Sequence, residues 1–357
     1  MTSMQRMLAR LLAIALAAML FAGCATRAPA ADEQVATSPP AAQSVLRSVA
    51  LDRALEDRIL ALDPERISEK DVASTLSQAP APHIVLLHGG VIGTDLIIAS
   101  AGRFLVGMGY PENRIRLPGS RSWSVSPYED GAQTAGLLAW YYEHDALRPM
   151  MIGHSQGGIQ AVKVLYELAG RYSSGIPVWD PYAGRALART TIVDPLTGAE
   201  RPVVGLKLSY VSVVAAGGAA LLLPNQWSMA DKLHTIPDTV VEFTGFSVGL
   251  DLLAWSLPGI NATTEFGHNG TAEVRSVVLP WVYNHLTVPI TGPLAGDPAV
   301  RPWIDAYVPG DSAVDPPGEK AGYATLWAAD VWYSVKKHWT LEAQRLIHAR
   351  RMAFGPP

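Results

Sequence analysis

Cysteine is almost missing from this chain. There is one in 357 residues, so no intrachain disulfide can form. Charge is sparse as well: Asp, Glu, Lys and Arg make up 17% and the net charge is −4. With no basic surplus to neutralise phosphates, composition offers no case for nucleic acid. The N-terminal apolar run, residues 11–22, is too short to span a bilayer comfortably. No repeat occurs at solenoid periods. What the chain does have is apolar residues, 49% of the total, which suffices for a sizeable core and excludes global disorder. Its length fits one large α/β domain or two smaller ones, and its 31 Gly and 27 Pro imply many turns.

The position of the one cysteine says more than its rarity. Arg6 and Arg10 precede the apolar run, and Leu20-Phe21-Ala22-Gly23-Cys24 follows. This segment resembles a bacterial lipobox. The resemblance implies that residues 1–23 are a lipoprotein signal peptide, cleaved before a lipidated Cys24. Ala25 after the cysteine, rather than Asp, favours the outer membrane by the same resemblance. The expected location is the cell envelope, with the membrane contacted through Cys24. Residues 24–44, rich in Ala, Pro, Ser and Thr, read as a tether.

Residues 45–82 read as a helical segment. Apolar positions recur at helical spacing over 44–62, and a second short helix opens at Ser68, with Asp71 three residues on. From residue 83 the main domain, 83–357, takes over. Strands are expected at 83–87, 113–117 and 149–152, with helices at 95–108, 128–144 and 159–169. That alternation predicts an α/β fold: a mostly parallel sheet flanked by helices. Turn signals break the rhythm over 171–205, where 190–193 and 202–204 are placed to pair around Asp194–Gly198. Residues 219–238 suit a cap or lid. Strands resume at 206–215, 239–246 and 274–279; 250–257 reads as a short helix and 287–320 as coil. A long amphipathic helix, 323–351, closes the chain, with Trp327, Val331, Trp332 and Val335 on one face.

The chemistry centres on Gly153-His154-Ser155-Gln156-Gly157, between a strand and a helix. This is the G-x-S-x-G nucleophile elbow in the context its mechanism needs. The turn is sharp, so its neighbours must be small, and Gly153 and Gly157 supply that. A serine hydroxyl needs a base to take its proton and a third group to orient that base. In this arrangement an acid and then a histidine follow the serine in the chain. His285 comes after an apolar strand, where the base loop falls; His268, in a polar loop, is the second choice. His234 lies in the expected lid, and His338 and His348 lie in the terminal helix. Asp251 follows a strand by a short loop and is the first candidate for the acid, with Glu265 its rival. Asp238 and Glu242 are less well placed, before and within that strand. An oxyanion hole needs fixed N–H donors. One comes from Gln156. The other comes from the glycine-rich turn after residue 87, with Gly90 the choice and Val91 the alternative.

With these residues in view, the chain resembles the α/β-hydrolases, and bacterial lipases and esterases in particular. Gly-His-Ser-Gln-Gly at 153–157, Leu-His-Gly-Gly at 87–90 and Asn-His-Leu at 284–286 carry the resemblance. It spans roughly residues 83–290 and is specific only at those motifs. It implies a serine hydrolase acting on carboxylic esters or lipids, without a cofactor or a metal. Two departures stand out: the disulfide of secreted lipases is impossible, and their Asp-Gly-Leu-Val acid segment is missing. The same triad would serve an acyltransferase or a polyester depolymerase. A non-catalytic envelope module of the same fold is the reading from another class. Oligomeric state is not legible in the sequence.

Overall fold

The computed structural model describes residues 45, 46, 49, 51–218, 221, 224–248, 251, 253, 254, 265–280, 282–310 and 324–355. The lipobox, Cys24 and the tether lie outside the described residues, as do most of 250–257 and part of the expected lid. Among the described residues, no helix is long and apolar enough to cross a membrane.

The chain opens with α1 (Arg53–Leu60) and α2 (Glu69–Ser74). Only part of the expected 44–62 helix forms beyond a helical pair at 45–46, because Asp52 caps a new start by accepting from the Leu55 amide at 2.7 Å. At α2 the Ser68 and Asp71 side chains each accept from the other's backbone N–H, closing the expected capping box. Then come β1 (Ile84–Leu87), α3 (Thr94–Gly107), α4 (Gly131–Asp145), β2 (Met150–His154) and α5 (Gln156–Leu168). Two small hairpins follow: β3 (Trp179–Asp180) with β4 (Arg185–Ala186), and β5 (Thr191–Val193) with β6 (Glu200–Pro202). The remaining elements are β7 (Leu208–Val214), β8 (Thr235–Ile236), β9 (Val240–Val248), β10 (Gly267–His268), β11 (Glu273–Leu279), α6 (Arg301–Ala306) and α7 (Thr325–Phe354).

β1, β2, β7, β9 and β11 form one sheet in that order, and every pairing in it is parallel. The alternation of side chains then builds two cores. Ile84, Leu86, Met150 and Ile152 face α3 and α7, while Val85, Leu87 and Met151 face α4 and α5. Burial on both sides explains why β1 and β2 read as unbroken apolar runs. Trp327, Trp332 and Trp339 of α7 are fully buried against the first face.

Two local expectations fail. Residues 113–117 are not a strand: Glu112–Arg114 form a 3-10 turn. Arg114 is drawn to Asp145 at 2.9 Å, and Arg116 pairs with Glu112 at 2.9 Å while lying over the Trp123 ring. The partner of β1 on that side is instead the single residue Val125, whose amide donates to the Leu86 carbonyl at 2.9 Å. In the expected coil 287–320, Gly292–Gly296 form a 3-10 turn and 301–306 form α6. In the expected lid, 224–229 form another 3-10 turn, which packs on α5.

α7 is fastened to the sheet by a buried polar network. Arg275 grips Asp330 through two bonds of 3.0 and 2.7 Å, and Glu242 accepts from His338 (3.2 Å) and Lys337 (2.9 Å). Burial pushes the Glu242 carboxyl up, but the His338 bond and the His338 and Lys337 charges outweigh it and hold the group at about 2. A depressed carboxylate stabilises the fold above its unfolded pKa and loses that contribution as pH falls through the folded value. From 4.5 to about 2 the contribution is about 3 kcal/mol. Urea unfolding from pH 7 to pH 2 is expected to show stability falling below about pH 4.5. Glu242→Gln is expected to be less stable at pH 7 and to flatten that acid limb; an unchanged limb would contradict the assignment.

Candidate active site

Parallel strands send the loops after their C-terminal ends to one edge of the sheet, where open α/β folds place their ligands. Ser155 follows β2 directly, Asp251 lies three residues past β9, and His285 lies six past β11. All three therefore reach the same edge. Ser155 is held at φ 56° and ψ −124°, a conformation that non-glycine residues rarely take. The packing of its neighbours fixes this turn. A Cβ at Gly153 would come within 2.6 Å of the Gly157 carbonyl oxygen, and one at Gly157 would clash with the carbonyls of Leu87 and His88. The elbow is thus wedged against the end of β1, and the Ser155 amide is tied to the Val214 carbonyl at 2.9 Å.

His285 Nε2 lies 2.9 Å from Ser155 Oγ, and His285 Nδ1 lies 2.6 Å from Asp251 Oδ2. Asp251 and His285 are 2% and 8% exposed. The other Asp251 oxygen accepts from the backbone N–H groups of Leu253 (3.0 Å) and Ala254 (2.9 Å), so the carboxylate is oriented from both sides. Since Asp251 accepts, Nδ1 carries the proton, which leaves Nε2 free to accept from the serine. The two alternatives are not brought here. Glu265 and His268 are exposed and precede β11: the Phe266 amide beside Glu265 donates to Ser276 Oγ midway along β11 at 2.8 Å, and His268 pairs with Ile236 of β8.

No family model matches the chain, and no curated protein matches it. Among solved structures it is similar to an Agrobacterium tumefaciens protein of unknown function described as a candidate alpha/beta hydrolase. The two are 15% identical with a TM-score of 0.30, over 58% of this chain and 78% of that one.

The Gly89–Gly90 turn sits beside the serine. A Cβ at Gly89 would lie 3.3 Å from the Ser155 Cβ, and one at Gly90 would strike the Gln156 side chain. Here the missing side chains let the turn close on Ser155 and on the Gln156 side chain. Thr94 Oγ1 lies 2.6 Å from the carbonyls of both Gly89 and Val91, His88 Nδ1 donates to Gly89 at 2.6 Å, and the Tyr128 hydroxyl donates to Gly90 at 2.9 Å. The carbonyls of the turn are therefore held from behind. The amides of Gly90 and Gln156 have no acceptor among the described residues, and Gln156 opens α5, whose N-terminus favours negative charge.

One residue of the site escaped the sequence reading. His154, the variable position of the elbow motif, is fully buried, and its Nε2 donates to the His285 carbonyl at 2.7 Å. Burial, helped by the nearby His285, holds its pKa down at about 3, so it stays neutral and keeps that proton on Nε2. It ties the loop of His285 to the end of β2, next to Ser155. Its partner is a backbone carbonyl 131 positions away, and no sequence pattern marks such a contact.

Proposed function

We propose that the protein is a serine hydrolase that cleaves carboxylic esters through an acyl-enzyme. The observation that carries this reading is the continuous path from Ser155 Oγ to His285 at 2.9 Å and on to Asp251 at 2.6 Å. In this mechanism Ser155 attacks the ester carbonyl as His285 Nε2 takes its proton. Asp251 keeps the imidazole in the right tautomer and stabilises its charged form. The amides of Gln156 and Gly90 hold the oxyanion as charge develops. His285 returns the proton to the departing alcohol, and water attacking by the same route frees the acid. Exposed apolar side chains on the loop after β1 and in the first turn of α3, Val91, Ile92 and Leu96, suit an ester with an apolar acyl part. The lipobox-like segment ending at Cys24 supports an envelope location through a lipid anchor.

Labelling with a fluorophosphonate tests this reading. The folded protein is expected to gain one phosphonyl adduct, located on Ser155 by peptide mass, and Ser155→Ala to gain none. Equal labelling of the variant, or no labelling of the folded wild type, would overturn the proposal.

A further inference from the structure

A pocket of about 400 Å³ opens beside the Gly89–Gly90 turn, between the loop after β1 and residues 122–128. Val91 and Ile92 stand at its mouth, 55% and 97% exposed. Its floor is polar, and strand register puts it there. Leu87 and Val125 pair in a parallel bridge and bury their side chains on the α4 face, so His88 and Ser124 share the opposite face and both line the pocket. Ser124 is 8% exposed. Its backbone is bonded by Ser122 Oγ, at 3.0 Å through the carbonyl and 3.4 Å through the amide, but its own hydroxyl has no hydrogen-bond partner among the described residues. Unlike the sealed hydroxyl of Ser212, it keeps surface open to the pocket. His88 Nδ1 donates to the Gly89 carbonyl at 2.6 Å, so its Nε2 is an acceptor, and Nε2 also has no hydrogen-bond partner among the described residues. Asp95 adds a carboxylate at the rim, and neither lysine nor arginine contributes to the lining. A carboxylate on a ligand could not donate to Nε2 and would be repelled by Asp95. An ammonium would leave the Ser124 proton unused. A hydroxyl can donate to His88 and accept from Ser124.

We propose that this pocket takes the acyl part of the ester and selects a chain that carries a hydroxyl group near its carbonyl, held by Ser124 Oγ and His88 Nε2. The inference rests on the esterase reading and narrows its substrate class. The mechanism decides which half of the ester enters. His285 Nε2 must hand its proton to the departing oxygen, so the alcohol lies on the His285 side of the bound carbonyl. The pocket lies on the Gly90 side, beside the amide that holds the oxyanion, and there the acyl chain runs. Val91 and Ile92 then cover the apolar remainder of the chain, while the floor meets its hydroxyl.

The test compares kcat/KM for the p-nitrophenyl esters of hexanoate, of each enantiomer of 3-hydroxyhexanoate and of adipate, whose free end is a carboxylate. One 3-hydroxyhexanoate enantiomer is expected to exceed hexanoate by about tenfold or more, and the adipate half-ester to fall below hexanoate. Ser124→Ala is expected to bring the favoured hydroxylated ester within about twofold of hexanoate. Asp95→Asn, at an exposed position where folding is not at stake, is expected to raise the adipate half-ester relative to hexanoate by about twofold or more. Each ratio is taken within one protein, so loss of folded enzyme does not shift it. Turnover of hexanoate with no preference for a hydroxylated ester overturns this inference and leaves the esterase reading standing. So does a preference that survives in Ser124→Ala, or an adipate ratio unchanged in Asp95→Asn. No turnover of any ester overturns both.

Discussion

Ser155→Ala is expected to lower kcat for a short p-nitrophenyl ester by on the order of a million-fold. Only one atom is removed, but in the proposed mechanism it is the atom that forms the acyl bond, and among the described residues no other hydroxyl bonds to His285. The surroundings are expected to survive. The Ser155 backbone bond to Val214 does not involve the side chain, and His285 keeps its partner in Asp251. Alanine bears the positive φ no worse than serine does, since both carry a Cβ. Circular dichroism and urea unfolding are therefore expected to match the wild type to within about 0.5 kcal/mol, the range of substitutions that break no packing or network. The residual rate, on the order of a thousandfold over water, would reflect substrate positioning and the oxyanion amides alone. Turnover within tenfold of the wild type, measured on protein in which a fluorophosphonate labels no contaminating esterase, would remove Ser155 from the mechanism.

How much of this was legible depends on how local each feature is. β1 and β2 are buried on both faces, so an apolar run announces them, and α5 starts at once after the elbow because Gly157 must be small. Residues 113–117 misled because Ile115 is buried as a strand residue would be, while Arg114 and Arg116 were already committed to Asp145 and Glu112. On the side of β1 away from β2 the neighbour is Val125, and one residue between serines has no period to detect. Glu242 posed the reverse difficulty. A carboxylate within an apolar strand is costly unless paired, and its partners lie on α7, whose His338 is 96 positions further on. The Ser–acid–His order made His285 and Asp251 readable as candidates because parallel strands deliver successive loops to one edge. That order carried no information on His154, which acts through a carbonyl 131 positions away.

Asp251→Asn is expected to cost about 10⁴ in kcat with the geometry retained, which is the behaviour of a triad acid exchanged for its amide. The reason is tautomeric. The Leu253 and Ala254 amides both donate to Asp251 Oδ1, so an asparagine at 251 keeps its oxygen there and turns its NH₂ group toward His285. His285 Nδ1 must then accept, which moves the ring proton to Nε2, the nitrogen facing Ser155. A protonated Nε2 cannot take the serine proton, and no negative charge remains to stabilise an imidazolium. The paired control is Glu265→Gln. Glu265 is exposed and makes no contact with His285, so its loss is expected to leave kcat within twofold, as is usual for a solvated surface group. A loss confined to Asp251→Asn assigns the acid to the loop after β9. A large loss in Glu265→Gln, with Asp251→Asn near wild type, would reassign it and show that the 2.6 Å contact at His285 does not orient the base.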